Sequence, residues 1–109
     1  MSFARVFAEL AQQAHALSVG KGWWEGDRNE AELIALMHAE LSEALEGLRA
    51  GNPPSDHIPG FSSVEEEFAD VILRIMDHAA ARGCRVGEAL EAKLAFNASR
   101  PRKHGGKAF

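Results

Sequence analysis

Apolar residues recur at every third or fourth position through most of this 109-residue chain, and no segment alternates with a period of two. The first spacing is that of one face of an α-helix, whereas a half-buried β-strand needs the second. End signals divide the pattern into four predicted helices, at about Phe3 to Val19, from after Asn29 to Gly51, from Ser63 to Gly83 and from Val86 to Ser99. The sequence therefore predicts an all-α fold, with residues 1–109 forming one four-helix bundle domain and residues 101–109 a basic tail.

Capping residues stand where the predicted helices begin and end. Ser2 and Asn29 precede the first two helices, and Ser63 with Glu66 has the spacing of a capping box at the third. Pro101 ends the fourth. The stretch "GNPPSDHIPGFSS" between the second and third helices is long for a bundle connection, and it either closes over a site or is a passive, exposed connection.

The third predicted helix is apolar around more than half of its circumference, at 100° per residue. Its apolar members are Phe68, Ala69, Val71, Ile72, Leu73, Ile75, Met76, Ala79 and Ala80. A helix of this kind is expected to be buried on more than one side, and four short helices cannot enclose it alone. A second copy of the chain is the expected cover, in a homodimer or a homotetramer.

Composition and charge exclude several classes of protein. With 46% hydrophobic and 26% charged residues, the chain has the balance of a soluble globular protein and no run near the ~20 apolar residues of a membrane span. Cys84 is the only cysteine, which favours the cytoplasm. From Glu30 to Asp77 there are eleven acidic and two basic residues, and from Arg82 onward seven basic and two acidic residues. An acidic centre beside a basic segment argues against a nucleic-acid polymer and suits a site for cations and phosphates together.

Two pairs of carboxylates stand three residues apart on successive helices. Glu40 and Glu43 occur in "HAELSEALEG", and Glu67 and Asp70 in "EFAD". Glu40 falls at the edge of an apolar stripe, where an ionised carboxylate costs several kcal/mol unless a positive charge compensates it. Packed antiparallel, the two helices would form an all-oxygen cage suited to Mg²⁺, with Mn²⁺ as a possible substitute. The alternative is that both pairs lie on a solvated helix face.

Polar residues also interrupt the apolar stripe of the fourth helix. Lys93 and Asn97 share that stripe with Leu90 and Leu94, and Arg100 extends the line. Facing inward, these side chains would need polar partners. Alternatively, the lysine reaches the surface and pairs with a glutamate.

The tail "RKHGGKAF" combines basic residues with two adjacent glycines. Arg102, Lys103, His104 and Lys107 would bind phosphate oxygens there, and the glycines would let the backbone approach closely. The alternative is a disordered basic tail.

The two carboxylate pairs followed by "KLAFNASRPRKHGGK" resemble the MazG-like all-α nucleoside triphosphate pyrophosphohydrolases, from "GKGWW" to the final lysine. The resemblance implies Mg²⁺-dependent cleavage of nucleoside triphosphates, deoxynucleotides included, between the α and β phosphates, in a house-cleaning role for the nucleotide pool. It also implies catalytic and metal-binding roles for Glu40, Glu43, Glu67 and Asp70, one of which, or a neighbour, would orient or deprotonate the attacking water. The side chains implied to hold phosphate or sugar are Lys93, Asn97, Arg100, Lys103 and Lys107.

Four further residues are candidates for the same site. Trp23 and Trp24 occur in "VGKGWWEGDRN", where one ring either stacks on a base or packs across the end of the bundle. Arg74 and Asp77 share a helix face with Asp70 and are predicted to support the metal ligands.

Two other classes of helical metal-dependent protein can be compared with the sequence. Di-iron bundles need a glutamate followed three residues later by histidine, and another class of helical phosphohydrolases needs a His-Asp dipeptide; neither occurs here. The remaining alternative is a non-catalytic helical dimer that binds a nucleotide or a protein partner.

Overall fold

The computed structural model describes residues 2–109, apart from the side chain of His104, and it is all-α. Its four main helices are α1 (Phe3–Gly20), α2 (Glu30–Arg49), α3 (Ser63–Arg82) and α4 (Val86–Ser99), and a single turn, α5 (Lys103–Gly106), follows in the tail. The four predicted helices are therefore confirmed, with ends that agree within two residues. No helix in the described range has both the length and the apolar composition needed to cross a bilayer.

Two of the predicted caps are confirmed, and the third is shifted by one residue. The Ser2 and Asn29 side chains each accept a hydrogen bond from the backbone N–H three residues on. At α3 the capping box consists of Ser62 and Glu65, with distances of 3.1 and 2.9 Å between the paired atoms, so the prediction of Ser63 and Glu66 is wrong. Glu66 does not cap α3, and its carboxylate instead contacts the connection between α2 and α3.

The connection between α2 and α3 is anchored to the first turns of α3. Ser55 Oγ donates to Glu66 Oε1 at 2.5 Å, and His57 Nδ1 lies 2.6 Å from Glu66 Oε2. The Asn52 side chain accepts from the backbone N–H of Val64 at 2.9 Å. These contacts make the segment an ordered connection, and no residue of 51–62 lines the cavity described below.

α3 is the central helix, since it packs against both α1 and α2. Phe7 and Ala11 of α1 meet Met76 of α3 in the core, whereas Leu33 and Ala44 are the buried residues of α2. Only six hydrophobic residues are buried in the described chain, and no large side chain there is completely enclosed. The radius of gyration, 16.2 Å, exceeds the value of about 13 Å expected for a compact chain of this size. The core is therefore thin.

A third face of α3 is left open, together with the adjoining face of α2. Phe68, Ile72, Leu41, Leu45 and Leu48 are each about half exposed. On α2 these residues are rotated by about 120°, and on α3 by about 150° in the same sense, from the residues at the α2–α3 contact, so in an antiparallel pair they point toward the same side. We call these five residues the open apolar face. The prediction that α3 is buried on more than one side is confirmed, but a covering second copy stays a prediction.

α4 packs mainly against α1, and its apolar stripe does not face the core of the single chain. Leu90 and Leu94 are 46% and 73% exposed. The contact with α1 forms at Gly87, where an added Cβ would lie 3.1 Å from Phe7 Cβ and 3.2 Å from the Ala4 backbone. The expectation that the stripe of Leu90, Lys93, Leu94 and Asn97 faces inward is therefore wrong in the single chain.

Replacing Gly87 with valine should separate α4 from α1, because backbone atoms of Ala4 cannot move aside as a flexible side chain does. We expect the free energy of unfolding to fall by about 1–3 kcal/mol, the usual cost of overpacking. Gly20→Val is the control, since no atom lies within 4 Å of an added Cβ there. Urea unfolding measures both, and equal stabilities of the two variants would contradict the close packing at Gly87.

Candidate metal centre and adjoining cavity

The antiparallel contact between α2 and α3 is close at Gly47. A Cβ at this position would lie 2.7 Å from Ser63 Oγ and 3.4 Å from Ser63 Cβ, so a side chain here would displace the Ser63 hydroxyl. About two to three helical turns further along, Arg74 Nε donates to Glu40 Oε1 at 2.9 Å. This register sets the two predicted carboxylate pairs opposite each other.

Three of the four predicted carboxylates converge. One oxygen each from Glu40, Glu67 and Asp70 lies within 4.8 Å of the other two. Glu43 is exposed and stands outside this group, although it is close enough to influence Glu67. The predicted meeting of acids from two helices is therefore found for the group of three, which we call the acidic cluster.

The ionisation of Glu67 reflects this crowding. Burial, together with the neighbouring carboxyl groups of Glu40 and Glu43, raises the pKa of Glu67 to about 8. Its Oε2 atom is buried and has no hydrogen-bond partner among the described residues. Burial and the charges of Glu40 and Glu66 also raise the pKa of Asp70. Without a bound cation, the acidic cluster therefore retains a proton that separated carboxylates would release.

The pKa of Glu40 shifts in the opposite direction, because the guanidinium of Arg74 faces its carboxylate. Burial alone would raise its pKa, but hydrogen bonds, of which the one from Arg74 is the strongest, lower the pKa overall. The Glu40 side chain is only 13% exposed and that of Arg74 40%, so the pair is shielded from water on the Glu40 side. Arg74, predicted to support the carboxylates, thus contacts one of them directly.

The donors of the acidic cluster fit a hard divalent cation. All are carboxylate oxygens, the ligands that Mg²⁺ and Mn²⁺ prefer. In an octahedral Mg²⁺ site, adjacent ligand oxygens stand about 3 Å apart and opposite ones about 4.2 Å, so the carboxylates of the cluster would move closer together to bind one ion. The unpartnered Oε2 of Glu67 is one atom that such a cation would satisfy.

A cavity of about 350 Å³ adjoins the acidic cluster, within the usual size of small-molecule pockets. It is formed by α1, the connection between α1 and α2, and the facing sides of α2 and α3. The lining residues are Ala14, Leu17, Ser18, Lys21, Trp23, Arg28, Glu40, Asp70, Leu73, Arg74 and Asp77. Acidic and basic side chains therefore share one cavity.

The two tryptophans have different surroundings. Trp23 lines the cavity and is 65% exposed, as a ring available for stacking would be. Trp24 is half-buried, and its Nε1 donates to Asp77 Oδ1 at 2.9 Å. The same oxygen lies 2.7 Å from His15 Nδ1. Asp77 was predicted to support a metal ligand, but its hydrogen bonds in the described chain go to Trp24 and His15 instead.

The predicted phosphate-binding residues of α4 and the tail lie elsewhere. Lys93 and Arg100 sit over the Phe96 ring, at 4.5 and 5.4 Å from its centroid, and Asn97 is exposed. None of Lys93, Asn97, Arg100, Lys103 and Lys107 lines the cavity, and the side chain of His104 falls outside the described part. In a single chain these residues are not brought to the acidic cluster.

Sequence reasoning missed Arg28 and gave His15 no specific partner. Arg28 lines the cavity, and its guanidinium lies 5.1 Å from the centroid of the Trp24 ring. His15 packs edge-on against the same ring at 5.1 Å. The one available signal was the mixture of basic and aromatic residues in "GKGWWEGDR".

Comparisons with known proteins gave no match. No protein-family model matches the chain, and no curated protein or solved structure does either. The resemblance argued from the sequence therefore stays a prediction.

The Glu67→Gln substitution should stabilise the metal-free protein at high pH. The unfolded chain has Glu67 at its ordinary pKa of 4.5, so folding takes up a proton between that value and about 8, and stability from this group falls as pH rises through that window. We expect the variant to melt about 5 °C above the parent at pH 8.5 and near the parent at pH 5, in a chelating buffer.

Glu46→Gln, at an exposed position of α2, is the control and should show no such pH dependence. A lower melting temperature for Glu67→Gln at both pH values would contradict the raised pKa.

Proposed function

We propose that this protein is a Mg²⁺-dependent nucleoside triphosphate pyrophosphohydrolase. It would cleave ribo- or deoxynucleoside triphosphates to the monophosphate and pyrophosphate, in a house-cleaning role for the nucleotide pool. The observation that carries the proposal is the convergence of Glu40, Glu67 and Asp70 at a cavity also lined by basic side chains. The family resemblance and the proposed cytoplasmic location agree with this activity.

Charge supports a role for a divalent cation in this cavity. A triphosphate carries about four negative charges and is repelled by carboxylates unless a cation lies between them. Glu40, Glu67 and Asp70 would hold Mg²⁺, or Mn²⁺ in its place, with Glu43 beside them. When bound, the ion neutralises charge and polarises the phosphoryl group.

The chain's own residues supply the remaining roles. Glu43 is the exposed carboxylate beside the acidic cluster, and one of the four carboxylates, or a neighbour, would orient or deprotonate the attacking water. Trp23 offers its exposed ring to a base. Lys93, Asn97, Arg100, Lys103 and Lys107 retain their proposed contacts with phosphate or sugar through the resemblance alone, and these contacts would require another copy of the chain or a movement of α4 and the tail.

Glu40→Gln and Asp70→Asn should each abolish turnover while the helical circular dichroism stays unchanged. Each variant removes a charged oxygen donor from the acidic cluster. Loss of a residue that only supports a metal ligand already costs up to about 100-fold, so we expect kcat to fall by at least about 100-fold. The assay measures monophosphate and pyrophosphate from a panel of canonical and modified triphosphates with Mg²⁺.

Glu46→Gln is the matched control, because Glu46 lies on the same helix but pairs only with exposed Arg49 among the described residues. Failure of the parent protein to cleave any triphosphate with Mg²⁺ or Mn²⁺ would refute the enzyme and leave the alternative, a non-catalytic dimer that binds a nucleotide or a protein partner.

We further propose that a second copy of the chain covers the open apolar face, giving a homodimer or a homotetramer of such dimers. All five residues of the face are apolar, and helices α2 and α3 present them on one side, so a two-fold related copy would bury matching surfaces. The thin core of the single chain gives such burial a large share of the total stability.

A Leu45→Glu and Phe68→Glu double variant should convert the assembly to monomers, because each charge would be buried at the contact. Light scattering after size-exclusion chromatography measures the mass. The control is Ala35→Glu, an exposed position on α2 that points away from the open apolar face. A monomeric parent protein at micromolar concentration would contradict the assembly.

A further inference from the structure

Building on the proposed function, we propose that Lys21 and Arg28 form an anion-binding subsite of the cavity, which holds the pyrophosphate portion of the substrate. Both residues belong to the connection between α1 and α2, apart from the helices that carry the acidic cluster. This assignment differs from the one implied by the family resemblance, which places phosphate recognition on α4 and the tail.

First, the three basic side chains in the cavity differ in whether a carboxylate pairs with them. Arg74 is committed to Glu40 through the 2.9 Å contact. By contrast, neither Lys21 nor Arg28 has a carboxylate oxygen within 4.0 Å in the described chain. Two cations without counter-ions in one concave site attract an anionic ligand, and their field is focused by the low-dielectric walls.

The second support is that Arg28 is held in place from both its backbone and its side chain. Its guanidinium rests 5.1 Å from the centroid of the Trp24 ring, and Asp77 fixes that ring through the indole N–H. Arg82 donates to the backbone carbonyl of Arg28 at 2.9 Å. A guanidinium held against an aromatic face loses less freedom on binding and presents its fork of donors to phosphate oxygens.

The third support is the division of charge in the cavity. Glu40, Asp70 and Asp77 line it from α2 and α3, together with Arg74, which pairs with Glu40, whereas Lys21 and Arg28 line it from the connection. A ligand that uses both groups must reach a metal ion at the acidic cluster and still offer negative charge to the two cations. A chain of linked phosphates has that form, and a neutral or cationic molecule does not.

The test measures binding of inorganic pyrophosphate with Mg²⁺ by calorimetry, which needs no turnover. We expect Arg28→Gln to weaken binding by about tenfold or more, as for loss of a hydrogen bond between charged groups, and Lys21→Gln to weaken it severalfold. Arg28→Lys should fall between the parent and Arg28→Gln, because it keeps the charge and loses the fork. Arg5→Gln is the control, at an exposed arginine of α1 outside the cavity.

The outcomes separate this subsite from the proposed reaction. Arg28-dependent pyrophosphate binding without cleavage of any triphosphate would sustain the subsite and refute the enzyme. Cleavage with pyrophosphate binding and KM unchanged in Arg28→Gln would sustain the enzyme and overturn the subsite. The subsite is also overturned if the parent binds no pyrophosphate at millimolar concentration, or if Lys93→Gln weakens binding while Arg28→Gln does not. Circular dichroism of each variant verifies folding.

Discussion

Repulsion among the carboxyl groups of Glu40, Glu67 and Asp70 is the constraint around which the described structure is arranged. Three acids this close cannot all carry charge unless positive charge is brought to them. Arg74 satisfies Glu40, and a retained proton satisfies Glu67, whose pKa is about 8. These side chains lie where α2 packs on α3, so the same interface holds the two helices together and positions the acidic cluster.

The position of α1 explains both the thin core and the cavity. α1 packs on α3 and leaves the connection to α2 free to bend back with Trp24, which Asp77 and His15 hold in place. The space enclosed by that bend is the cavity. α3 packs against α1 and α2 with two of its faces, and its third face is left uncovered in the described single chain.

The parts that sequence predicts are those with local physical causes. Helix positions, the caps at Ser2 and Asn29 and the pairing of acids on α2 and α3 follow from periodicity and spacing. The α3 cap was misplaced because "SSVEEE" offers two registers one residue apart, and a distant contact from Ser55 and His57 to Glu66 accompanies the observed one.

Other features needed three-dimensional information. Periodicity groups Lys93 with Leu90 and Leu94, but it does not say whether that face meets another helix, and in the single chain it is exposed. The cavity residue Arg28 lies in a segment without periodicity, where no pattern connects it with Trp24 or with the acids of α2.

The glycine at position 47 links helix stability to the spacing of the site. A glycine inside a helix costs about 1 kcal/mol relative to alanine. Here that loss accompanies the close approach to Ser63. Positions 47 and 63 are consequently coupled in packing: a side chain at 47 must displace the Ser63 hydroxyl, or the spacing of the acidic cluster changes with it.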